Sequence, residues 1–132
     1  MSSKNILSFK CTATLSAYRI VSAMSSTANT VEYPPSAYIR PIGVTTDDVK
    51  DTNQAIPVCV SGIAKVYFND TVTSGKLVAS DSSGRGVPHV LPSYSTFTDF
   101  TLPVGVVGIL VGPTIGLTGT IADVLVQPQL IR

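Results

Sequence analysis

The sequence predicts an all-β fold, a small barrel or sandwich of about eight or nine short strands. Three observations carry that expectation. Ten Gly and nine Pro recur at short intervals along the 132 residues, as the turns of a strand-rich chain require. Val, Ile, Thr and Tyr fill the gaps between them, and these residues suit a pleated, half-buried surface. No window of 12 or more residues keeps apolar positions at i, i+3, i+4 and i+7 without a Gly or Pro, so no long helix is expected.

From the N-terminus, residues 6–11 are the first short candidate strand. Residues 15–23 read Leu-Ser-Ala-Tyr-Arg-Ile-Val-Ser-Ala, a strand that sets Tyr18 and Ile20 on one face and Arg19 and Val21 on the other. Residues 24–29 are a small polar loop, and 30–33 a brief extended piece ended by Pro34-Pro35. Residues 38–45 form a strand in which Pro41, lacking an N–H, demands an edge position or a bulge. Residues 46–50 suit one helical turn, with Thr46 as N-cap and Asp47 and Asp48 at its positive end.

Residues 56–60 and 63–68 are strands on either side of Ser61-Gly62, read as a bulge or a bend. Residues 69–75 turn, and 77–80 make a short strand. The second turn, Asp81-Ser82-Ser83-Gly84-Arg85-Gly86, has no P-loop lysine and precedes no helix, so it reads as a hairpin tip. Residues 87–103 are the least regular, with Pro88, Pro92 and Pro103 among the aromatics Tyr94, Phe97 and Phe100. Such a loop serves either as a contact surface or as a cap on one end of a barrel. Residues 106–111 and 121–126 are the last strong strands, and their continuous apolar character predicts burial on both faces. Residues 127–132 read as an extended tail. The chain forms one domain, residues 1–132, without internal repeat or linker.

Charge is sparse. Nine basic and eight acidic residues make up 13% of the chain, against about 25% in an ordinary soluble domain. At 13.8 kDa the folded surface comes to roughly 6,600 Å², or about one charge per 390 Å². With a mean hydropathy of +0.35, part of that surface is expected to be covered by other molecules. The basic residues are scattered from Lys4 to Arg132 and the net charge is +1, which argues against a nucleic-acid partner. The longest apolar stretch, 104–112, contains three glycines and stops at Pro113, too short for a membrane span. Lys10 and Cys11 interrupt any secretory pattern at the N-terminus. Synthesis in a cytoplasm is therefore expected, with any extracellular life spent on a particle. Cys11 and Cys59 lack metal-site spacing. Two buried thiols are expected, with a Cys11–Cys59 bridge as the alternative.

Catalytic groupings do not assemble. The one histidine, His89, sits in Val-Pro-His-Val-Leu-Pro and reads as a surface or packing residue, and no G-x-S-x-G is present. The acidic residues are Glu32, Asp47, Asp48, Asp51, Asp70, Asp81, Asp99 and Asp123. Asp47, Asp48 and Asp51 lack the calcium-loop pattern and its terminal Glu. No tryptophan is present to build a sugar platform beside a carboxylate pair. Asn69-Asp70-Thr71 matches a glycosylation sequon but has no secretory context. No catalytic residue, metal ligand or cofactor is expected.

A series of phrases, taken in order, resembles a family of small tailed-phage head proteins related in shape to the lambda head decoration protein. They are Tyr18-Arg19-Ile20-Val21, then Pro41-Ile42-Gly43-Val44-Thr45 followed by Asp47-Asp48-Val49, then Val58-Cys59-Val60-Ser61-Gly62-Ile63-Ala64-Lys65-Val66. Val72-Thr73-Ser74-Gly75-Lys76-Leu77-Val78 leads into residues 80–86, and Val107-Gly108-Ile109, Ile121-Ala122-Asp123-Val124 and Val126-Gln127-Pro128 close the pattern. The resemblance covers about residues 17–128. It departs at Asp51-Thr52-Asn53, where a glycine turn is usual, and at residues 91–103, which look like an insertion.

The resemblance implies a compact β-barrel or β-tulip-like fold with an extended N-terminal arm over residues 1–14. It implies a homotrimer on the outer surface of the virion, bridging subunits of the phage major capsid protein and stabilising the expanded head. The arm would add a strand to a capsid sheet, with Ile6, Leu7 and Phe9 as apolar contacts between Lys4 and Lys10. Tyr94, Phe97 and Phe100 form the candidate contact loop. The alternatives are another virion part (a head-fibre base, tail-tube or head-completion protein) or a carbohydrate-binding barrel. An enzyme is not expected.

Overall fold

Nine strands occupy the Val-, Ile- and Thr-rich runs between Gly and Pro in the computed structural model, which describes residues 5–35, 41–48, 54–88 and 106–126. They are β1 (Asn5–Cys11), β2 (Ile20–Ala23), β3 (Thr30–Glu32), β4 (Pro41–Thr45), β5 (Ala55–Tyr67), β6 (Leu77–Ser80), β7 (Gly86–Pro88), β8 (Val106–Leu110) and β9 (Ile121–Val126). No helix occurs among the described residues.

Five strands close into a barrel in the order β1-β3-β2-β4-β5, with β1 returning to β5. All its pairings are antiparallel except β1 with β3. A second, antiparallel sheet runs β5-β9-β8-β6-β7. β5 belongs to both. Its first half, from Ala55 to Ser61, pairs with β1, and its second half, from Gly62 to Tyr67, with β9.

The changeover needs a break in the period-2 alternation of side chains. Val58 fills one core and Cys59 the other, yet Ala64 and Val66 join Cys59 on the second core. One residue's worth of alternation is lost between them. Gly62 supplies it with a φ of 103°, a conformation open to glycine and costly for residues with a Cβ. The β1–β5 register also shifts nearby, between Asn5 and Ile6. The expected bulge at Ser61-Gly62 is thus a joint inside one thirteen-residue strand.

Two cores result. Cys11, Val21, Val31, Ile56 and Val58 converge from β1, β2, β3 and β5 and fill the barrel together with Leu15 of the β1–β2 connection. Ile20, Val44, Cys59, Val66, Phe68, Val107, Leu110 and Val124 are among those that fill the space between the barrel wall and the second sheet. Neighbours such as Ile20 and Val21 serve opposite cores, so β2 is apolar on both faces.

Several sequence expectations change. The strand expected over 15–23 begins at Ile20, because Tyr18 adopts a φ of 64° and turns the chain. Thr46, Asp47 and Asp48 are not helical. The Thr46 amide donates to the Pro57 carbonyl at 3.2 Å, and Asp48 accepts from the Ala17 amide at 2.6 Å; Val49 and Lys50 lie outside the described residues. Val87 and Pro88 belong to β7 and not to an irregular loop. β8 is buried on both faces as expected, but β9 alternates, with Ala122, Val124 and Val126 buried and Ile121 exposed. Cys11 and Cys59 are both buried, in different cores.

The N-terminal arm also changes character. From Asn5 to Lys10 the chain pairs with β5 and forms barrel wall. It is held there because Phe9 and Cys11 pack into the barrel core.

Candidate interaction surface

β1 carries four of the five arm residues picked from sequence. Ile6 and Leu7 are about half exposed, at 48% and 52%. Phe9 is half-buried against the barrel core, and Lys10 is exposed. The structure therefore splits the group, with Phe9 holding the strand in place and Ile6, Leu7 and Lys10 exposed. Lys4 and the loop residues Tyr94, Phe97 and Phe100 lie outside the described residues, as does His89.

A second surface was not anticipated. Cross-strand registers align Ile63 with Leu125, Leu125 with Ile109, and Ile109 with Leu77. These residues form an apolar row across four strands on the outward face of the second sheet, none of them fully buried. Lys65 and Asp123 sit beside it, paired at 3.3 Å. Their side chains are 60% and 47% exposed, so the pair contributes at most about 1 kcal/mol. The next row pairs Tyr67 with Ile121, which is 43% exposed. Alternation within Ile63-Ala64-Lys65-Val66-Tyr67 and Ile121-Ala122-Asp123-Val124-Leu125 was the available sequence signal. The apolar character of both outward and inward positions obscured it.

The polar residues that cluster hold the structure together. Asp81 accepts from the Ser83 and Arg85 amides, each at 2.9 Å, from Arg85 Nε at 2.9 Å and from Asn69 Nδ2 at 3.2 Å. This knits the β6–β7 turn, which the sequence placed correctly as a hairpin tip. Arg19 donates from Nη1 to the Ser83 carbonyl at 3.1 Å and stacks 4.8 Å from the Tyr67 ring centroid. Among the described residues, no group of three or more His, Cys, Asp or Glu gathers as a metal site. A hollow of about 390 Å³ opens beside Phe9, Ala23, Met24, Ala28 and Ile42.

No protein-family model matches the chain, and no curated protein matches it in sequence. Among solved structures it is similar to the N base of the head fiber gp8.5 of bacteriophage phi29. The TM-score is 0.65 at 16% identity, over 98% of this chain and 100% of that one. The barrel and the second sheet are thus a fold shared along its whole length with the base of a phage head fiber.

Proposed function

We propose that this protein is a structural, non-enzymatic component of a phage virion that seats on the outer surface of the head. The observation that carries the reading is the end-to-end likeness to a head-fiber base. The ordered series of phrases like those of head decoration proteins points to the same location. Sparse charge and an apolar row on an outward sheet face suit a protein that works by being covered. The row, flanked by Lys65 and Asp123 side by side, suits contact with copies of itself, and we propose a homotrimer. Trimeric binding would let modest contacts to the major capsid protein add up through effective concentration.

Two versions of this role differ in mechanism. A cement subunit bridges capsid proteins, and its binding free energy must be lost before they separate. A fiber base uses the same seat to carry a projecting part. Mixing purified protein with undecorated expanded heads tests both. Saturable binding at repeated sites is expected, and its absence overturns the proposal. A raised temperature of head disruption on binding selects cement, and an unchanged one selects the base.

A further inference from the structure

We draw no further inference here: the strongest candidate, the hollow of about 390 Å³ lined by Phe9 of β1, Ala23 of β2, Thr30 of β3 and Ile42 of β4, has a neutral and mainly apolar wall, and nothing in the structure shows what fills it.

Discussion

Arg19 ties the barrel to the second sheet through one side chain, stacked on Tyr67 of β5 and bonded to the Ser83 carbonyl of the β6–β7 turn. The turn meets β2 at Gly84, which sits at a φ of 77° where a Cβ would lie 2.7 Å from both the Ile20 carbonyl oxygen and the Tyr33 ring. The Gly84 carbonyl also accepts from the Ile20 amide at 2.7 Å. Cys11 makes a prediction at this scale. Burial in the barrel pushes its thiol above the usual 9.0. The folded state then keeps a proton that the unfolded chain gives up, so the contribution is complete below pH 9 and lost as pH rises through the folded value. Stability should fall by up to about 1.4 kcal/mol per pH unit above pH 9. Urea midpoints at pH 8, 9 and 10 check this, and Cys11→Ala should flatten the slope.

β1 is where the reading from sequence and the structure diverge most usefully. Residues 6–11 were legible as a strand, since Ile6, Leu7 and Phe9 stand in an extended, apolar stretch. Which partner they pair with was not, because an apolar strand suits any open edge. The structure gives it β5 of its own chain. Removing residues 2–10 would therefore open the barrel and strip the Phe9 side chain from its core. Loss of cooperative thermal unfolding is expected for the truncated protein, where a detachable arm would leave the melting curve unchanged. Pro57 shows the same dependence on context. It is tolerated inside a barrel strand because its missing N–H lies toward β4, whose last ladder partners on β5 are Cys59 and Val58.

Across the whole molecule, β5 is the common member of both sheets and the wall between two cores. The outward face of the second sheet is left with the row Leu77, Ile109, Leu125 and Ile63. Ile63 is 36% exposed, so a charge there should be tolerated by the fold and not by a partner. On the proposed homotrimer, Ile63→Lys should lower the sedimentation coefficient from that of a trimer to that of a monomer in sedimentation velocity, with an unchanged circular dichroism spectrum. Equal sedimentation of both proteins would remove this face as the self-contact.

Local chemistry determined what could be read from the sequence alone. Gly and Pro punctuation, β-branched runs and the Asp81–Gly86 tip mark all-β structure and most strand positions, because turns and pleats depend on neighbours in the chain. Tertiary structure alone decided the closed ring of five strands, the change of face at Gly62, the incorporation of Asn5–Cys11 into the wall and the apolar row on the second sheet. Each depends on which distant strand supplies the facing hydrogen bonds. Residues such as Ile20 and Val21, apolar on both faces of one strand, do not say which core each will meet.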